Sequence, residues 1–120
     1  MKIIITTQNP NIDALMDARF GRASYFMEMD DETLAWEAHD NPAVVASGGA
    51  GSQAAQFVSG LGAKAVISGA FGPNAFRALD AAGIKMYLCH SAYTARQALD
   101  EYRAGRLEPA APMPGHGRHG

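Results

Sequence analysis

The sequence predicts an α/β fold: a three-layer α/β/α sandwich around a five-strand mixed sheet of order 3-2-1-4-5. Three observations carry that prediction. Short apolar runs rich in β-branched residues recur (Ile3-Ile4-Ile5, Ala65-Val66-Ile67), as in strands covered on both faces. Three other stretches space their apolar residues at helical period. Glycines stand where those helical stretches stop.

The elements follow in order. Ile3-Ile4-Ile5 is strand 1, and residues 8–22 run on without periodicity, with Asn9-Pro10-Asn11 as a turn signal. Ser24 to Met29 is the second strand, with Tyr25, Met27 and Met29 on one face. Asp30-Asp31 marks a tight turn into the third, Leu34 to His39, where Leu34, Trp36 and Ala38 share a face. After a loop over 40–51, Ala54, Phe57, Val58 and Leu61 fall at i, i+3, i+4 and i+7 of a helix that Gly60 and Gly62 end. Ala65-Val66-Ile67 is strand 4. The segment Ser68 to Asn74 then turns into a second helix, with Ala75, Phe76 and Leu79 inward, that stops at Gly83. Ile84 to Leu88 is strand 5, and Ala95, Ala98, Leu99 and Tyr102 place a third helix over 94–104, capped at Gly105. From Glu108 onward Pro, Ala, Gly and His dominate without apolar period. The domain is therefore expected over 1–107, and 108–120 as a disordered tail.

Composition narrows the function classes. At 120 residues the chain has the length of one domain, and it needs no disulfide or structural metal to fold. Ten basic and twelve acidic residues, with no long run of either, supply no stripe for nucleic acid. The single cysteine, Cys89, excludes an intramolecular disulfide framework and any four-thiolate cluster site. The apolar run after Met1-Lys2 is too short for a signal peptide or a membrane span, so the expected setting is cytoplasmic. No Gly-x-Ser-x-Gly, His-Glu-x-x-His or Walker pattern occurs. Strand 1 lacks the carboxylate that a two-metal nuclease would need. A non-enzyme is expected.

Topology locates the site. Strands 1, 3, 4 and 5 should point the same way, gathering loops 8–22, 40–51, 69–74 and 89–93 at one edge. All three helices should begin there, aiming N–H groups and positive dipole ends at a ligand. Open α/β sheets bind ligands at this edge, here between strands 1 and 4.

Several pieces, in this order and spacing, resemble the family of dinitrogenase iron–molybdenum cofactor biosynthesis proteins. They are Lys2–Thr7, Asp17-Ala18-Arg19-Phe20-Gly21-Arg22-Ala23, Phe26, Gly49-Ala50-Gly51 and Gly69-Ala70-Phe71-Gly72-Pro73-Asn74-Ala75. Gly83-Ile84, Tyr87, Gly105-Arg106-Leu107 and a Gly/His-rich tail complete the pattern. The resemblance spans about 1–107 and implies a ribonuclease H-like three-layer fold and a role linked to nitrogen fixation. Family members that carry cofactor tend to have His where this chain has Arg19. A guanidinium cannot ligate metal, but it pairs with oxyanions and anionic clusters.

Candidate site residues follow from these readings. Arg19 and Arg22 flank Phe20-Gly21 on the functional edge, as charge for an anion or as solvated surface. Ser47 to Ser52, with Gly49 and Gly51, resembles a backbone anion nest or a flexible connector. Asn74 follows a helix-starting Pro73 and could face the crevice. Cys89 and His90 offer thiolate and imidazole as metal ligands, against the plainer reading of a buried thiol beside a surface histidine. His116 and His119 form a short tract that binds metal weakly, and His39 is given no role. The expected function is non-catalytic: a carrier for an iron–sulfur or iron–molybdenum type cluster, or its precursor. Its partners would be a cluster-donor or acceptor protein, with no nucleic acid and no membrane, in a monomer or weak homodimer. The alternative is a small-anion or nucleotide-binding regulatory module using the same loop edge.

Overall fold

The computed structural model describes residues 1–44 and 48–111. Within them the elements are β1 (Lys2–Thr7), β2 (Tyr25–Asp30), β3 (Trp36–Asp40), α1 (Ala50–Gly60), β4 (Ala65–Ser68), α2 (Pro73–Ala81), β5 (Lys85–Leu88), α3 (Ala95–Arg103) and β6 (Glu108–Pro109). Every residue from Ile3 to Thr7 is buried, which requires neighbours on both edges and cover on both faces. β1 accordingly pairs antiparallel with β2 and parallel with β4, and the sheet runs β3-β2-β1-β4-β5-β6.

Alternation along β1 divides the core in two. Ile4 faces Phe20, Phe26 and the apolar sides of α1 and α2 (Ala54, Val58, Ala75, Leu79). Ile3 and Ile5 face Met16, Met27, Met29 and α3 (Ala95, Ala98, Leu99). The sheet is thus the middle of three layers, with α1 and α2 on one face and α3 on the other. Among the described residues no helix is long and apolar enough to cross a membrane.

Two expectations change. The sheet has six strands, not five, because Glu108 pairs with Leu88 and Pro109 with Tyr87, while the Ala110 N–H donates to the Met86 carbonyl at 2.9 Å. Residues 108–110 therefore belong to the fold rather than to a tail. A Glu-Pro pair carries no strand signal, and Pro, lacking an N–H, is tolerated there because β6 is an edge. The second change is at the hairpin. Asp30 begins the turn as expected, its Oδ1 accepting the N–H groups of Glu32 and Thr33 at 2.8 and 2.9 Å and its carbonyl the Leu34 N–H at 2.9 Å, but the connection runs on through Ala35. Leu34 sits in the left-handed region (φ 66°), so β3 starts at Trp36 rather than at Leu34. Ser47, placed in the possible nest, and the tail histidines His116 and His119 lie outside the described residues.

Candidate functional site

Three backbone segments meet beyond the C-terminal ends of β1 and β4, and glycine is what lets them meet. A Cβ on Gly21 would stand 3.0 Å from the Gly51 Cα, and one on Gly51 would stand 3.1 Å from both the Cβ and the N of Ala75. Gly69 passes so close to Ala18 that a Cβ there would reach the Ala18 carbonyl oxygen at 2.7 Å. The loop after β1 and the first turns of α1 and α2 are thus stacked backbone on backbone. Phe20 anchors the loop from beneath, fully buried, with ring centroids 5.4 Å from Phe26 and 5.5 Å from Phe71. The Phe20 N–H donates to the Ala70 carbonyl at 3.0 Å.

Side chains lock the same loop. Buried Asn41 donates through Nδ2 to the carbonyls of Gly21 (3.2 Å) and Ala23 (2.9 Å), and its Oδ1 accepts the Ala43 N–H at 2.9 Å. The Thr6 hydroxyl lies 3.0 Å from the Asp17 carbonyl oxygen and 2.9 Å from the Ser68 hydroxyl, tying the loop to the ends of β1 and β4. The side chains of Thr6, Asn41 and Ser68 are buried and partnered, which ties the loop to the sheet and to the end of β3.

The stack frames a cavity of about 430 Å³, within the range of small-molecule sites. Its wall comprises Arg19 to Arg22, Ala50 and Gly51, and Ala70 to Ala75. It holds two guanidinium groups and no carboxylate. Arg22 donates from Nη1 to the Val44 carbonyl at 3.3 Å. Arg19 is exposed and has no carboxylate partner among the described residues. Neither α1 (N-cap Gly49) nor α2 (N-cap Gly72) has a side chain capping its first turn. α3 differs in every respect. Thr94 and Gln97 form a reciprocal capping box, and the N–H groups of Ala95 and Arg96 donate to the Ala14 and Ile12 carbonyls at 2.9 Å each. Two helices therefore present uncapped N-termini to the cavity while the third is closed off by the loop after β1.

Comparison with known proteins agrees with this architecture. A profile of the family described as dinitrogenase iron-molybdenum cofactor matches residues 1–105. The chain belongs to that family. The orange protein from Desulfovibrio gigas, solved in its apo form, is 41% identical, with 92% of this chain and 93% of that one covered and a TM-score of 0.89. A NifB-like protein from Thermotoga is 29% identical over 97% and 98% of the two chains, with a TM-score of 0.83. A dinitrogenase-like protein from Methanocaldococcus jannaschii shares the fold at 14% identity (TM-score 0.70, covering 93% and 96%). The curated proteins give no match.

In this member of the dinitrogenase iron-molybdenum cofactor family, the cavity gathers Arg19, Gly21, Arg22, Gly51 and Asn74. Gly49 lies one residue outside the wall, as the left-handed N-cap of α1 (φ 70°). Cys89 and His90 are not in the wall. Loop 89–93 leads to α3 on the opposite face, and Cys89 is buried there among Ile67, Ala95 and Leu99. Burial, with the Glu101 charge adding to it, pushes the Cys89 thiol up, away from the thiolate that a metal needs. His90 is exposed, and its Nδ1 accepts the Ala92 N–H at 3.2 Å. Loop 89–93 does meet the loop after β1, the Met16 N–H donating to the Tyr93 carbonyl at 2.9 Å, but on the α3 side of the sheet and outside the cavity wall. Two contributors lacked a sequence signal. Asn41 holds the loop through contacts that exist only once β3 is placed. Arg77, one turn along α2, donates to Asn74 Oδ1 and brings a third cation toward the rim.

Proposed function

We propose that this chain is a non-catalytic carrier of an anionic iron–sulfur or iron–molybdenum type cluster, or its precursor, taken from a donor and passed to an acceptor protein in the cytoplasm. The observation that carries the reading is the pairing of two uncapped helix N-termini with two guanidinium groups on one carboxylate-free cavity. The cluster is cargo, captured by charge and backbone N–H groups from Arg19, Gly21, Arg22, Gly51 and Asn74, with Gly49 setting the approach of α1. Family membership and the likeness to the orange protein support the same reading. The sheet order, with β1 between an antiparallel hairpin and parallel crossovers, fits the ribonuclease H-like class that the resemblance implies.

Capture by charge makes a sharp demand on the variants. A charge-assisted hydrogen bond contributes about 1.5–3 kcal/mol, so replacing Arg19 and Arg22 by Ala should weaken binding roughly tenfold or more per guanidinium. The loss should shrink as salt rises. Anaerobic titration with synthetic iron–sulfur clusters and with molybdate, followed by absorbance and metal analysis, measures this. Unchanged affinity in the double variant would refute charge capture. Tight binding of phosphate or nucleotide with no cluster uptake would favour the regulatory module instead. The assignment of Cys89 and His90 as direct ligands is tested in the same titration, since Cys89→Ala and His90→Ala must alter the bound cluster's spectrum if either ligates.

A further inference from the structure

A separate set of metal-ligating groups sits on the hairpin, away from the cavity. β2 and β3 pair so that Phe26 stands opposite His39 and Glu28 opposite Glu37. Glu28, Glu37 and His39 therefore project from one face, and one ligand atom from each lies within 4.8 Å of the other two. His39 Nε2 is 2.9 Å from Glu28 Oε1 and 4.0 Å from Glu37 Oε2. Two bonds of about 2.1 Å at a tetrahedral angle put ligand atoms about 3.4 Å apart, and the observed spacings bracket that value.

The surroundings fit a site rather than a chance meeting. Like charges directly across an antiparallel pair destabilise it, so Glu28 opposite Glu37 calls for a cation between them. Lys2 answers only part of that call: its Nζ lies 3.3 Å from Glu28 Oε2 and leaves Oε1 turned toward His39. A ligating carboxylate with its second oxygen held in this way is the usual outer-shell arrangement. The imidazole is oriented by Phe57 of α1, edge to face at 5.9 Å and 76°. Glu28 and His39 are mostly buried while Glu37 is largely exposed, giving an ion a solvent path and room for water ligands.

We propose that Glu28, Glu37 and His39 form a mononuclear site for a first-row divalent transition ion, with Zn²⁺ as its representative. Imidazole nitrogen beside two carboxylates selects such an ion over Mg²⁺ or Ca²⁺, which take oxygen alone. The site is independent of the cluster cavity, so the two readings stand or fall separately.

Calorimetric titration of the full, chelator-treated chain with ZnCl₂, compared with MgCl₂, tests it. One Zn²⁺ should bind per chain, and that site should persist in a His116→Ala/His119→Ala variant. It should weaken at least about tenfold in Glu37→Gln and vanish in His39→Ala. Glu37 is exposed, so its variant keeps the fold and reads ligation alone. Equal Zn²⁺ affinity in Glu37→Gln and the parent overturns the assignment, as does loss of the site with the tail histidines alone.

Discussion

Gly69 and Gly60 make opposite demands on a methyl group. At Gly69 a Cβ would press on the Ala18 carbonyl oxygen and Cα, both backbone atoms that cannot rotate away. Gly69→Ala should destabilise the protein by about 1–3 kcal/mol in urea denaturation, as overpacking does. Gly60 ends α1 with nothing within 4 Å, so Gly60→Ala should be neutral or stabilise by up to about 1 kcal/mol. The sequence reads Gly60 as a helix end and Gly69 only as part of a turn. That Gly69 is a close backbone contact emerges when the loop after β1 folds back on β4. Cys89 teaches the same point. Its neighbour His90 and its strand-end position are legible, but the face it takes depends on where α3 packs. With its thiol pushed up by burial, the group favours the folded state fully below the unfolded thiol's range, and that contribution fades as pH rises toward the folded value. Iodoacetamide at pH 8 should therefore label Cys89 slowly in the native protein and fast in urea, read by mass spectrometry.

At the scale of the element, helix ends separate stability from binding. The helical periodicities over α1, α2 and α3 were readable because burial follows the 3.6-residue repeat, and Gly83 and Gly105, both at positive φ, stop their helices as expected. The distribution of caps has a plainer chemical meaning. Thr94 closes α3 against the loop after β1, whereas Gly72 leaves α2 open toward Arg19 and Arg22. Gly72 already has the extended backbone of an N-cap (φ −72°, ψ 168°) and free space around it. Gly72→Asp should thus supply the missing cap and raise stability by about 0.5–1 kcal/mol. The same carboxylate would occupy the donors and repel an anion. A higher Tm with lost cluster uptake is the expected pair of results, and uptake at parental affinity would count against the cavity as the binding site.

Across the whole molecule, what was legible is what local pattern dictates, and what was not is what partners dictate. The order 3-2-1-4-5 followed from β-branched runs and right-handed crossovers, because a strand buried on both faces has few places to go. The Glu28–Glu37–His39 group and β6 were invisible for a shared reason: neither has a local signature, and each exists only through pairing with a neighbouring strand. β6 has a consequence for the sheet as a unit. Without it β5 would be an open edge whose N–H and C=O groups could pair with another chain. Ala110, packed against the core cluster on the α1 and α2 side, fastens the strand. Ending the chain at Leu107 removes the pairing of Tyr87 and Leu88, the Ala110–Met86 hydrogen bond and that packing. At about 1 kcal/mol per net hydrogen bond, the loss should be about 1–3 kcal/mol, with concentration-dependent association in sedimentation velocity. A chain ending at Ala111 keeps all of these contacts and should match the parent in both measurements. Equal stability of the two truncations would mean that the β5 edge is closed by something other than β6.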